Sequence, residues 1–158
     1  MNAMSENKRK NIYRPVIALA LLSLLMCGLL FPLVVTGVSQ VVFPSQANGS
    51  LVQLGNRTVG SYSIDNGFTL PIFFHARNES NPLTASASGV DPDITLQDAL
   101  SQVPRIHNAT GISRSALTDV VMAHEERTLF TVGDPYVNVL ALNLALVSSY
   151  PTVYSAYR

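Results

Sequence analysis

The hydrophobic and polar positions divide this chain into two unlike parts. From Val16 to Val38 the sequence VIALALLSLLMCGLLFPLVVTGV is apolar almost without interruption, and no Asp, Glu, Lys or Arg occurs between Pro15 and Asn56. About 23 such residues at 1.5 Å of rise make roughly 35 Å of helix, enough to cross a hydrocarbon layer about 30 Å thick with some tilt. About 14 of them are Leu, Ile, Val or Phe, each contributing roughly −0.3 to −0.6 kcal/mol at mid-membrane. Insertion is therefore favoured despite Ser23, Gly28, Pro32 and Gly37. Rival readings fit less well. A cleaved signal peptide has a shorter core and a small-x-small site, loosely matched here only by Ser45-Gln46-Ala47. A lipoprotein signal would use Cys27, but bulky Met26 precedes it and the apolar run continues past it. A buried helix of this length would carry a polar face. Pro32 removes a hydrogen bond to the Gly28 carbonyl and predicts a kink, and Ser23 and Cys27 are small enough to face a partner helix.

Beyond the apolar stretch the periods shorten. A polar turn, Ser45 to Ser50, leads into Leu51–Leu54 and Arg57–Ser61, two strands joined through Gly55-Asn56 as a hairpin. Pro71 to His75 reads as a short strand or packed loop, and Asn78 to Asp91 as a Ser/Ala/Asn/Pro-rich loop. Thr95 with Asp98 three residues on predicts a capped helix bearing Leu96, Ala99, Leu100 and Val103 on one face, interrupted or restarted at Pro104 and ended by Gly111. Ser113 predicts a second cap, followed by a stripe of Leu117, Val120, Val121 and His124. Thr128 to Val132 reads as a strand and Gly133-Asp134-Pro135 as a turn. Val137 to Val147, apolar nearly all round, reads as a buried helix with Asn138 capping its first turn and Asn143 in need of a hydrogen-bond partner. Ser148 to Arg158 reads as a frayed tail, and removal of Ser149 to Arg158 alone is expected to be harmless. The predicted organisation is a leader over 1–14, a transmembrane helix over 15–39, an α+β (mixed α/β) extracytoplasmic domain over 40–147 and a C-terminal tail over 148–158.

Charge adds a direction. The net charge of zero hides Lys8, Arg9, Lys10 and Arg14 ahead of the apolar stretch, opposed only by Glu6, whereas beyond it lie six Arg, no Lys and nine acids. The positive-inside rule then predicts a cytoplasmic N-terminus and an outer main domain in a single-pass cell-membrane protein. Cys27, the only cysteine, excludes an intramolecular disulfide, and a mildly acidic domain without basic clusters gives no reason to expect nucleic acid.

Candidate chemistry is sparse. There is no G-x-S-x-G elbow and no P-loop, every lysine lies in the leader, and His75, His107 and His124 lack metal-ligand spacing. Asn-x-Ser/Thr sequons begin at Asn48, Asn56, Asn78 and Asn108. His75 with Arg77 reads as a structural pair, Asp91 and Asp93 around Pro92 as turn and cap residues, and Glu125, Glu126 and Arg127 as a solvated face. A membrane-anchored solute-binding or sensor module is the alternative, and it would need a pocket with convergent polar groups.

The motifs PLVVTGVSQVVFPSQANGSLV from Pro32, FFHAR from Phe73, ASASGVDPDIT from Ala85, QVPRI from Gln102, HEERTL from His124 and VNVLALNLAL from Val137 run in an order that resembles the C-subunit family of the Kdp-type potassium-transporting P-type ATPases. The resemblance implies a non-catalytic accessory subunit of an ATP-driven, high-affinity potassium uptake complex, supporting assembly and activity. Its implied partners are a channel-like potassium-binding subunit, an ATP-hydrolysing P-type subunit, a small single-span subunit and the bilayer. Family annotation adds nucleotide binding, although the outward-facing domain lacks a phosphate loop. On that ground no cofactor is assigned to this chain, and ATP and Mg belong to the complex. The family-motif residues, structural or in subunit contact, are Pro32, Gly37, Asn48, Gly49, Phe74, His75, Arg77, Ser88, Gly89, Asp91, Pro92, Gln102, Pro104, Arg105, Arg127, Asn138 and Asn143; none is catalytic and none a metal ligand. Three departures stand out: a short loop between Arg77 and Ala85, Asp93 where a histidine is common, and a tail after Leu146 without a family counterpart.

Overall fold

The computed structural model describes residues 3–54, 56–76, 88–127 and 133–157, with side chains from residue 13 onward. The chain divides into two compact units, Met1–Asn48 and Gly49–Arg158.

In the first unit, α1 (Ala3–Leu25), a five-residue π turn (Met26–Leu30) and α2 (Phe31–Val42) follow one another without a break. The apolar part, Tyr13–Val42, is 30 residues long, and its 18-residue apolar window has mean hydropathy 2.6 and contains no buried residue. The helix thus extends past the 15–39 stretch at both ends. The break predicted at Pro32 is absorbed one turn earlier. The Phe31 N–H donates to the Met26 carbonyl, a bond reaching five residues back, and Pro32 falls in the first turn of α2, where its missing N–H costs least. The polar segment after it is not wholly turn: α3 (Pro44–Ala47) forms one helical turn. Asn48 closes it by donating to the Pro44 carbonyl at 2.7 Å and to the Gln40 side chain at 3.0 Å.

The second unit opens with the predicted hairpin. β1 (Leu51–Leu54) pairs antiparallel with β2 (Arg57–Ser61), with a bulge between Val52 and Gln53; Gly55 lies outside the described residues. Gly60 sits where a side chain does not fit. A Cβ there would run into the Asn66 amide and come within 3.2 Å of Leu140 Cδ2. That amide is occupied, since Asn66 accepts from the Ser61 N–H at 2.8 Å and donates to the Ser61 carbonyl at 2.9 Å. Gly60→Ala is therefore expected to destabilise the unit by about 1–3 kcal/mol, read as a lower melting temperature of the detergent-solubilised chain; an unchanged melt would mean that the 61–66 turn yields freely.

A second antiparallel pair, β3 (Asp93–Thr95) with β4 (Tyr136–Asn138), aligns Asp93 with Asn138 and Ile94 with Val137. The sequence pattern predicts neither strand. Three-residue strands have no period to read, and Val137 and Asn138, expected in the last helix, belong to β4 instead. α4 (Leu96–Thr110) starts at the predicted cap, with Thr95 Oγ1 accepting from the Asp98 N–H at 3.1 Å, and ends at Gly111 in the left-handed region (φ 75°). Pro104 does not interrupt it. The proline lies on the exposed face, while Ala99, Val103 and Ile106 anchor the other face in the core on both sides of it. Burial of that stripe outweighs the lost bond. α5 (Arg114–Ala123) starts at Ser113, which accepts from the Ala116 N–H, and buries Leu117 and Val121 of the predicted stripe. His124 instead closes the helix end, its Nδ1 2.9 Å from the Val120 carbonyl. α6 (Val139–Ser149) is capped by Asn138 and buries Leu142, Asn143 and Leu146. The strand expected at 128–132 and most of the loop expected from Asn78 lie outside the described residues.

The expectation of a frayed tail is overturned. Tyr150 continues from α6, and Tyr154 is fully buried (0% exposed), stacked on Phe73 with ring centroids 5.3 Å apart. Its hydroxyl donates to the Ile72 carbonyl at 2.7 Å. An aromatic ring with a polar tip is well suited to such a site, because it fills volume and satisfies a loop carbonyl at once.

Candidate functional site

The predicted residues converge on the loop before Ala76. Phe74 is buried, and both its backbone groups are held by one side chain of α6: the N–H donates to Asn143 Oδ1 at 2.8 Å, and Asn143 Nδ2 donates to its carbonyl at 2.9 Å. The next residue is held in the same way by α4. The His75 N–H donates to Gln102 Oε1 at 2.9 Å, and Gln102 Nε2 donates to the His75 carbonyl at 3.0 Å. An amide side chain has one acceptor and two donors, the groups that a neighbouring strand would offer to a backbone residue. Asn143 and Gln102 thus stand in for the strands that this loop lacks.

Arg105 and Tyr154 complete the set. Arg105 donates to the Pro71 carbonyl at 2.7 Å, the Phe73 carbonyl at 2.9 Å and Gln102 Oε1 at 2.8 Å. His75 Nε2 lies 2.9 Å from the Leu70 carbonyl. That acceptor places the ring proton on Nε2, so the 3.4 Å approach of Arg105 Nη1 to the same nitrogen is packing and not a hydrogen bond. With Tyr154 on Ile72, every carbonyl from Leu70 to His75 receives a side-chain donor. Burial pushes the Arg105 guanidinium below its ordinary range, and Asp98, itself buried, steadies Gln102 by accepting from its Nε2 at 3.1 Å.

A second junction joins the two small sheets' neighbourhoods. Asn138 Nδ2 donates to Asp93 Oδ1 at 2.8 Å and to the Tyr62 carbonyl at 3.1 Å, while its Oδ1 caps α6 through the Ala141 N–H at 3.2 Å. Burial pushes the Asp93 carboxyl above its usual 3.8; the Asn138 amide works against that shift, and the charges of Asp91 and Glu126 add to it. Asp93 is a strand residue and not a cap. Asp91 makes the turn, accepting from the Asp93 N–H at 3.1 Å, and the Pro92 carbonyl accepts from the Val139 N–H at 3.0 Å. Ser88 and Gly89 precede this turn, with Gly89 at φ 72°.

Other predicted residues lie apart. Pro32, Gly37 and Asn48 belong to the first unit, and Gly49 makes the left-handed turn (φ 83°) that opens the second. Pro104 is exposed, and Arg127 is an exposed partner of Glu125 at 2.7 Å. Arg77, and with it the pairing expected for His75, lies outside the described residues; among those described, His75 meets the Leu70 carbonyl and packs on Arg105. Tyr154 and Asn66 were not singled out as site residues from sequence, and Asp98 was read only as part of the α4 start. The spacing of Tyr150, Tyr154 and Tyr157 was the available signal for the first of these.

Among the described residues no group of three His, Cys, Asp or Glu side chains could hold a metal, and no buried side-chain nitrogen or oxygen lacks a hydrogen-bond partner. Beside the clasped loop lies a largely apolar pocket of about 340 Å³ between the hairpin, the 67–73 segment, α6 and Tyr157.

A family model described as K+-transporting ATPase, c chain (KdpC) matches residues 13–82 and 78–148. Its two pieces overlap at 78–82, inside the loop that the sequence shows to be short. The KdpC subunits of potassium-transporting ATPases from Staphylococcus aureus strains bovine RF122 / ET3-1 and MSSA476 are each 35% identical over 182 aligned positions, covering 86% of this chain and 97% of the relative. The KdpC subunit of strain Newman is 34% identical over the same coverage.

Proposed function

The chain belongs to the c-chain family of K+-transporting ATPases, and from that premise we infer that its outer unit is a rigid docking module for the other subunits of the complex. The protein is an accessory subunit of a potassium-transporting ATPase and not a catalyst by itself. It works in a membrane beside partner subunits. The partners in this reading are the channel-like potassium-binding subunit, the ATP-hydrolysing P-type subunit and the small single-span subunit.

One observation carries the docking role. The buried polar side chains Asn143, Gln102, Asp98 and Asn138 are committed to holding backbone or one another, which stiffens the loops they hold. A preorganised surface binds a partner without first paying to order its own loops. ATP and Mg2+ are assigned to the hydrolytic partner. The apolar pocket presents no cationic side chain to a phosphate, so it does not suit a nucleotide. Lys8, Arg9, Lys10 and Arg14 support a cytoplasmic N-terminus with the outer unit on the opposite side.

Isolation of this chain from solubilised native membrane is expected to recover the other subunits with it. Recovery of the chain alone, from membranes that contain those subunits, overturns the role. For orientation, single cysteines replace exposed Ser63 or Ser5 in a Cys27→Ser background. An impermeant thiol reagent on intact cells should label the first and spare the second; the reverse pattern inverts the topology.

A further inference from the structure

Period-two alternation gathers acidic and amide side chains on one face of the β3–β4 ladder. Ile94 and Val137 are paired across it and buried in the core. Their neighbours Asp93, Asn138, Thr95 and Tyr136 therefore share the opposite face. Glu126 extends that face, because it bridges Tyr136 on its other edge through backbone hydrogen bonds of 2.8 and 3.0 Å. Asp91 adds a third carboxylate from the turn before β3, where it accepts from the Asp93 N–H at 3.1 Å. Like charges on one sheet face weaken it.

Half-buried Asp93 is also part of a three-way connection. Asn138 is buried, and its one amide joins three elements. Nδ2 donates to Asp93 Oδ1 at 2.8 Å and to the Tyr62 carbonyl at 3.1 Å, while Oδ1 caps α6 at the Ala141 N–H. The next N–H, of Val139, donates to the Pro92 carbonyl at 3.0 Å. The start of α6 is thus fastened to Pro92 and Asp93. A proton on Asp93 Oδ2 leaves Oδ1 able to accept from Asn138 as before. It removes the charge that burial penalises and that Asp91 and Glu126 repel.

The remaining neighbours do not offset that charge. Burial, then Glu126 and Asp93, push the Tyr136 phenol above its ordinary 10.0, so it stays neutral while carboxylates titrate. No side chain of α6 is ionisable. In the 61–66 segment Asp65 accepts from the Gly67 N–H, and on α4 Asp98 accepts from Gln102. Arg127, the cation nearest Glu126 in sequence, is paired with Glu125 at 2.7 Å.

We propose that Asp93 and Asn138 form a proton-operated joint. With Asp93 neutral, the joint draws β3, the 61–66 segment and the start of α6 together; with Asp93 ionised, it holds them less tightly. The joint acts within the outer unit and does not depend on which subunits that unit meets. Its sign follows from the Asp93 carboxyl, which lies above its usual 3.8 in the folded chain. The folded chain then holds the proton more tightly than the unfolded chain, so stability grows as the pH falls from neutral toward 3.8 and is lost as it rises through the folded-state value.

The test melts the full-length, detergent-solubilised chain and its Asp93→Asn variant between about pH 8 and about pH 4.5. Asparagine keeps an oxygen for Asn138 and cannot ionise, so the difference between the two chains isolates Asp93 from every other titrating group. The expected result is a melting-temperature difference, variant minus wild type, that falls by about 2 °C or more as the pH drops. A difference that stays flat, or that grows toward acid, overturns the joint. If Asp93→Asn does not fold, hydrogen exchange on the wild-type chain decides. Protection of residues 136–141, corrected for the intrinsic rate, should then rise toward acid more than protection of residues 99–106 in α4. An equal or smaller rise at 136–141 overturns the joint as well.

Discussion

Tyr154→Ala is expected to destabilise the outer unit by about 3–5 kcal/mol, the usual cost of truncating a buried aromatic ring. Against a total stability of about 5–15 kcal/mol for a domain, that lowers the melting temperature by roughly 10 °C or more. The ring is fully buried, stacks on Phe73 and lies beneath a loop that depends on its hydroxyl. Removing residues 149–158 should do the same damage. Tyr154→Phe separates the two contributions: the ring remains, the Ile72 carbonyl loses its donor, and about 1–2 kcal/mol is lost. Alkaline melts add an independent readout. Burial, and then neighbouring Tyr150, push the Tyr154 hydroxyl up to about 12 from 10.0. The unfolded chain therefore ionises first, and stability that is intact below pH 10 is lost as the pH rises toward 12. Tyr154→Phe should flatten that decline relative to wild type. A Tyr154→Ala chain that melts like wild type would return the C-terminal segment to the status of a tail.

Asn143→Ala is expected to be comparably severe, about 3–5 kcal/mol. It removes two hydrogen bonds and strands a buried N–H and a buried carbonyl of Phe74, each at about 1–3 kcal/mol, in a helix face that is otherwise core. Asn143→Asp is the sharper experiment. A carboxylate can still accept from the Phe74 N–H, but it sets a second oxygen against the Phe74 carbonyl and buries a charge. Once protonated, the introduced carboxyl can donate to that carbonyl. Its folded-state pKa is thus raised, so the variant should regain stability relative to wild type as the pH falls and lose it as the pH rises. A flat pH difference would show that Phe74 is not clasped from both sides. Gln102→Ala should act on the same loop, and the double substitution with Asn143→Ala should cost less than the sum, since either one frees the 70–75 segment.

Several elements were legible in the sequence because their cause is local. The apolar stretch around Val16–Val38 is long enough to need only a count, and the caps at Thr95, Ser113 and Asn138 follow from one side-chain oxygen meeting an N–H two or three residues on. The hairpin follows from two short segments around a two-residue turn that begins with glycine. The need of Asn143 for a partner was likewise readable, because an amide in an apolar helix has no other way to be satisfied. Its partner was not, since Phe74 lies 69 residues away in sequence. The same limit applies wherever the deciding contact is distant. Tertiary packing alone turned Tyr154 from tail into core, carried α4 through Pro104, and paired Val137 and the cap residue Asn138 as a strand against Ile94 and Asp93. Sequence periodicity reports which side of an element is apolar. Only the folded chain decides what that side meets, because side chains far apart in sequence compete for the same buried space and the same backbone donors and acceptors.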